Sequence, residues 1–128
     1  MKHHLQKRRK AYRFGLVAEW YAAAYLFCKG YRILAMRYRN FGGEIDILAR
    51  RGETLVALEV KARRSRKLCN DSITWQKQKK IANAMNELSA HHSKIAGLAD
   101  MENLNIRFDA VWVTPWQKPL HIQDAWRL

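Results

Sequence analysis

Gly43-Glu44-Ile45-Asp46 and Leu58-Glu59-Val60-Lys61 face each other in this 128-residue chain across a turn expected at Arg51-Gly52. Two acids and a lysine gathered on one surface can hold a divalent cation against a phosphodiester and position the water that attacks it. Asp46, Glu59 and Lys61 have the side chains for that chemistry, and Glu44 is a further acid near them.

The strands that must position them show a period of two. Ile45, Ile47 and Ala49 alternate with Glu44, Asp46, Leu48 and Arg50, and Val56, Leu58 and Val60 alternate with Leu55, Ala57, Glu59 and Lys61. Burying the two apolar faces together sets Asp46 roughly across from Ala57, because a one-residue slip would turn every side chain of one strand to the wrong side. Asp46, Glu59 and Lys61 then share a face. Diagonal cross-strand neighbours lie about 7–8 Å apart, close enough for two carboxylates to reach one ion. A plainer reading fits the same pattern: charged residues on the outer face of a hairpin are often solvated, and an exposed pair contributes little.

Lys and Arg number 24 against 11 Asp and Glu, a formal net charge of +13, which points to a polyanionic partner. The charge is clustered. Lys2, Lys7, Arg8, Arg9, Lys10 and Arg13 crowd a segment without acids, Lys61, Arg63, Arg64, Arg66 and Lys67 follow the second candidate strand, and Lys77, Lys79 and Lys80 lie beyond. From these runs Arg8, Arg9, Lys10, Arg63, Arg64, Lys77 and Lys80 are the candidate nucleic-acid contacts, with residues 1–10 read as a basic arm able to flex. Solubility or anionic lipid are the competing uses of such charge. Trp75, beside the last run, either stacks on a base or sugar or packs at a helix start. The longest apolar run, Trp20 to Cys28, is far short of the roughly 20 residues a bilayer requires, and the basic opening lacks the apolar stretch of a secretory signal. Cys28 and Cys69 have no metal-type spacing and form no disulfide framework. A cytoplasmic protein without a membrane partner is expected. His3, His4, His91 and His92 are adjacent pairs, not ligands at helical spacing, and are read as solvated.

The elements follow an αβββαββ order. A helix is expected from Tyr12 to Lys29, ended by Gly30, with Tyr12, Gly15, Leu16, Glu19, Ala22, Ala23 and Leu26 on its inner stripe. Glu19 is out of place there, since a buried carboxylate needs a partner; it either meets a core lysine or arginine or points over the hairpin toward a metal. A first strand runs from Tyr31 to Tyr38, and a second helix from about Ser72 to Ala90 buries Gln78, Ile81, Met85 and Leu88. After a loop over 91–104, Ile106 to Thr114 alternate as a strand stopped by Pro115, and Pro119 to Ala125 supply an edge strand. The 128 residues form one α/β domain, a mixed sheet covered by helices.

Glu19 in a first helix, GEIDILA at 43–49, LEVKARR at 58–64, Lys77-Gln78-Lys79-Lys80-Ile81 and Arg107-Phe108-Asp109-Ala110-Val111 together resemble the YraN-like family of predicted bacterial endonucleases. That family is similar to the PD-(D/E)XK nucleases, archaeal Holliday-junction resolvases above all, and the resemblance implies a restriction-endonuclease-like αβββαβ core. It also implies roles: Asp46 and Glu59 as metal ligands with the Val60 carbonyl, Lys61 as the catalytic lysine, Glu19 as the first-helix acid, and Gln78 and Lys77 near the site from the second helix. Asp109 belongs to the pattern without an assigned role. The implied cofactor is Mg²⁺ or Mn²⁺, the substrate DNA, branched DNA included, and junction-cutting relatives suggest a homodimer. A non-catalytic module that keeps the fold and binds DNA or RNA is the alternative. Acids at the centre of a basic surface favour catalysis, because a module that only bound phosphate would gain nothing from them.

Overall fold

Both faces of a five-stranded sheet are buried, each under one helix, and the apolar residues of the strands are divided between the two. The computed structural model describes residues 2–68 and 73–127. Cys69 and Ser72 lie outside the described residues, as do the side chains of Lys2 and Tyr12. The order is α1 (Lys2–Cys28), β1 (Arg32–Asn40), β2 (Gly43–Arg51), β3 (Thr54–Ala62), α2 (Trp75–Ala90), β4 (Asn105–Val113) and β5 (Leu120–Ile122), as the expected αβββαββ order has it. Strands follow one another across the sheet; β3 and β4 are parallel, joined by a crossover through α2, and the other pairs are antiparallel.

Helix α1 lays Ala18, Ala22, Ala23 and Leu26 against Ile47, Ala49, Val56, Leu58, Val111 and Val113. Helix α2 lays Ile81, Ala84, Met85 and Leu88 against Ile45, Leu48, Leu55, Ala57, Ala110 and Trp112. The hairpin therefore has two apolar faces where one was expected, because the crossover carries α2 over the side that holds the charged residues. Ile45 also leaves the alternation and joins Leu48 under α2. The β1–β2 register shifts between Ile33 and Ala35, and Arg37, at φ +53°, stands between the pairs Met36–Ile47 and Tyr38–Ile45 without a further shift.

The basic segment expected as an arm is helical. It forms the first turns of the 27-residue α1, about 40 Å long at 1.5 Å per residue, since Leu5, Gln6, Lys7, Arg8, Arg9 and Lys10 are all good helix formers and no glycine or proline interrupts them. Gly30, at φ +92°, ends the helix in a left-handed turn in which Tyr31 N–H donates to Leu26 O and Gly30 N–H to Phe27 O, both at 3.0 Å. Helix α2 starts at Trp75, not near Ser72: Thr74 caps it, its hydroxyl accepting from Lys77 N–H at 3.2 Å.

The β1–β2 turn is pinned to α2. Asn40 accepts from Gly42 N–H at 2.8 Å through its side-chain oxygen and donates to the Ala84 carbonyl at 2.9 Å through its amide. Gly42 and Gly43 lie so close to α2 that a methyl group on either would overlap a helix carbonyl oxygen, that of Asn83 or Lys80. These are backbone atoms and cannot swing aside. Gly43→Ala is therefore expected to lower stability by about 1–3 kcal/mol, the usual cost of overpacking, seen as a lower urea midpoint; an unchanged midpoint would show that the turn is not seated on the helix.

Candidate active site

The site begins where β2 and β3 separate. Their ladder runs from Arg51–Thr54 through Leu48–Ala57 to Ile47–Leu58 and then stops. Asp46 is one step beyond the last pair, level with Glu59, not across from Ala57 as expected. The turn explains the difference: its two central residues are Gly52 and Glu53, with Gly52 at φ +61°, one position later than Arg51-Gly52. Moving the turn by one residue moves the register by two and leaves each side chain on its face. Asp46, Glu59 and Lys61 thus keep the common face that alternation assigns, with the two acids closer than a diagonal pair.

Asp46 takes over the role of a strand at the split. Its Oδ2 accepts the Val60 N–H at 2.9 Å, so the carboxylate satisfies a backbone donor that β2 has left behind. In an extended strand a residue's N–H and C=O point to the same side, so the Val60 carbonyl faces the same gap. Glu59 is 5% exposed. Its Oε1 lies 3.6 Å from Lys77 Nζ on α2, and its Oε2 is buried with no hydrogen-bond donor to it among the described residues. Burial, then the negative charge and hydrogen bond of Asp46, push the Glu59 carboxyl up to about 8, against the opposing pull of Lys77 and Lys61. Lys61 is half-buried two residues along the same strand.

Such a pair shares either a proton or a cation. The donors it can offer are hard oxygens, two carboxylates and the Val60 carbonyl, which suit Mg²⁺ or Mn²⁺, and the orphaned Glu59 Oε2 has a lone pair to give. Among the described residues no three His, Cys, Asp or Glu side chains converge, so substrate and water would complete the shell, as Mg²⁺ usually allows.

The remaining sequence candidates divide. Lys77 is brought to Glu59. Glu19 meets Arg37 at 2.8 Å with 13% of its side chain exposed, so the structure realises its pairing with an arginine and does not gather it with the acid pair as a third ligand. Gln78 donates to the Ile73 carbonyl at 2.8 Å and ties down the approach to α2. Glu44 pairs with Arg39 across the β1–β2 hairpin. Lys10, Arg63 and Arg64, distant in sequence, line one groove of about 650 Å³ with Lys7, Phe14 and Pro115, beside the end of β3. Arg8 and Arg9 are exposed on the same stretch of α1, and Lys80 lines a second, shallow groove with Arg39 and Glu44. Trp75 is exposed at the start of α2, with Lys79 over its ring at 5.1 Å.

Arg37 and His121 escaped the sequence reading. The positive φ of Arg37 has no residue signal, since arginine rarely takes it. His121 stands on a three-residue edge strand and bonds the buried Asp109 at 2.8 Å. Asp109 also accepts from Arg107 through both oxygens and from Asp124 N–H. Burial alone would raise its carboxyl, but these donors hold it below the usual range. Its alternation with Arg107, Val111 and Val113 puts it on the α1 side of the sheet, away from Glu59, where it anchors β5. His92 is likewise not solvated: its ring nitrogens lie 3.0 Å from the carbonyls of Ser89 and Met101, inside the 91–104 loop.

A mixed sheet between two helices, with an acid pair where the antiparallel β2–β3 ladder ends beside the parallel β3–β4 pair, is a restriction-endonuclease-like α/β fold. Residues 18–113 match the family described as "Uncharacterised protein family UPF0102", and the chain belongs to this family, the YraN family. A UPF0102 protein of Mesorhizobium japonicum is 45% identical over 118 residues, covering 92% of this chain and 90% of its own. Another from Rhizobium etli is 46% identical over 118 residues, 92% of each chain, and one from Agrobacterium fabrum 44% over 119 residues, 93% of each. The matched span contains Glu19, Asp46, Glu59, Lys61 and Asp109.

The acid pair predicts a pH signature. Between about pH 4.5 and 8 Glu59 is protonated in the fold and ionised when unfolded. The unfolded chain then binds fewer protons, so stability falls as pH rises through that window. In chelator-treated protein the melting temperature should fall over this range for the wild type and much less for Glu59→Gln; parallel profiles would rule out the shared proton.

Proposed function

We propose that this protein is a metal-dependent endonuclease that hydrolyses phosphodiester bonds in DNA, branched DNA included. The observation that carries the proposal is the buried, partnerless Oε2 of Glu59 level with Asp46, two residues from Lys61 and under the ammonium of Lys77. A structural acid would have been given a donor; this one is kept dry and unsatisfied beside a second acid, at a cost in stability that suits a site built for a cation.

Bound Mg²⁺ or Mn²⁺ supplies neutralisation of the scissile phosphate and a more acidic water. Asp46 and Glu59 hold it, with the Val60 carbonyl as a third donor. Asp46 is kept in place by the Val60 N–H. Lys61 orients the attacking water or stabilises the charge that builds on phosphorus. Lys77 supports the ionised form of Glu59. Lys7, Lys10, Arg63 and Arg64 take the phosphates that run on from the cleaved bond along the groove.

A second reading, a nucleic-acid-binding module that retains the fold, is favoured by the engagement of Glu19 with Arg37 and by the lack of a third converging carboxylate among the described residues. A cleavage screen over linear, nicked, flapped and four-way DNA, with RNA in parallel, separates the two. Cutting of a DNA form is expected with Mg²⁺ or Mn²⁺ alone, with losses of about 10²-fold or more in Asp46→Ala and Lys61→Ala at unchanged folding. Wild-type protein that binds but stays inert on all of them in both metals assigns the module.

Binding itself should be strongly salt-dependent. Each phosphate contact removed lowers the slope of log K against log salt by about 0.9 on duplex DNA. The Lys7→Ala, Lys10→Ala double variant is expected to flatten the slope by close to two such steps, and an unchanged slope would remove the groove from the interface.

A further inference from the structure

The turn after β4 carries a tryptophan where the backbone calls for glycine. Gln117 N–H donates to Thr114 O at 3.4 Å, closing a tight turn with Pro115 second and Trp116 third, and Trp116 has a φ of +63°. That is the pattern of a type II turn, whose third position favours glycine or asparagine. A tryptophan there strains the backbone, and its ring gains no burial, being fully exposed. The loop is braced all the same: Thr114 Oγ1 donates to the Gln117 side-chain oxygen at 3.0 Å, and Arg66 donates to the Lys118 carbonyl at 2.8 Å. A strained, firmly held and unburied indole is a platform presented to a partner.

Trp116 stands over a trough along α1. With Phe14, Val17, Tyr21 and Pro115 it lines a groove of about 250 Å³, and Phe14 and Pro115 also line the 650 Å³ groove that holds Lys7, Lys10, Arg63 and Arg64. The charged residues lining the two, among those described, are these four, all basic. Lys118 and Lys29 continue the charge beyond, 5.9 and 5.2 Å from the Tyr25 ring centre. We infer that the trough binds single-stranded DNA, with bases stacked on Trp116 and Tyr21 over the apolar floor and phosphates on the flanking cations. A duplex cannot use it in this way, because its base faces are covered by neighbouring pairs; only a strand parted from its complement offers them. The inference rests on the DNA partner of the proposed function, not on cleavage. It narrows the substrate to DNA with an unpaired strand beside the scissile bond, since the trough begins at Ala62 and Arg63, just past Lys61 on β3.

Fluorescence anisotropy in chelator, which reads binding apart from cleavage, tests this with a labelled oligothymidylate of about 12 nucleotides and a duplex of equal length. The wild type is expected to bind the single strand, and Trp116→Gly to bind it at least tenfold more weakly while holding the duplex with unchanged affinity. Glycine relieves the left-handed φ, so this variant should melt no lower than the wild type, which separates a lost platform from a damaged fold. Tyr21→Ser, on the other wall of the trough, should act in the same direction. Single-strand binding that survives both variants overturns the inference, and so does an equal loss on both DNA forms. Binding of anionic vesicles in place of the single strand would assign the trough to a lipid surface and refute it. If no DNA is cut in Mg²⁺ while the Trp116-dependent preference for the single strand persists, the nuclease reading fails and this one stands.

Discussion

One hydrogen bond organises the acid pair of this molecule: the carboxylate of Asp46 accepting the N–H of Val60. Where β2 and β3 stop pairing, β3 would be left with a partly buried donor, which is costly, and a side chain supplies the acceptor. The same bond fixes one acid at the mouth of the split, beside Glu59. Glu59, level with it and buried, then has to share a proton or a cation. The orientation of Asp46 follows from ending that ladder with an aspartate, and the raised affinity of Glu59 for a proton follows from its burial first and from the neighbouring Asp46 second.

The two buried acids of the sheet show what a missing donor means. Asp109 and Glu59 lie on neighbouring strands and opposite faces, both almost without solvent. Asp109 receives hydrogen bonds from Arg107, His121 and Asp124 N–H and is held ionised. Glu59 has Lys77 at ion-pair distance from one oxygen and, among the described residues, no donor to the other. A satisfied acid anchors an edge strand; an unsatisfied one beside a second acid has a raised affinity for a proton. Both occur within the span that matches the UPF0102 family.

Helix α1 links the parts of the surface. Its first turns carry Lys7 and Lys10 to Arg63 and Arg64, its middle buries small residues on the sheet, and its outer stripe is aromatic. Helix α2 is set by backbone contact with the Gly42-Gly43 turn, which fixes the height of Lys77 over Glu59.

Much of this was legible in the residues because strands and helices advertise themselves by period. The element order, the αβ class, the common face of Asp46, Glu59 and Lys61 and the glycine end of α1 all follow from local rules of alternation, spacing and left-handed φ. The register came out two residues away, since nothing local separates a turn centred on Arg51-Gly52 from one on Gly52-Glu53, and parity protected the faces from the error. The helical state of residues 2–10 was hidden by their charge, which resembles that of a flexible arm although the propensities are helical. Pairwise meetings could not be read at all: Glu19 with Arg37, Gln78 with the Ile73 carbonyl, Asp109 with His121. The sequence by itself determined which residues share a face and where the chain is basic, because those depend on neighbours along the chain. Tertiary structure alone decided which acid is satisfied and which is left open, because that depends on donors brought from distant segments by the packing of helices on the sheet.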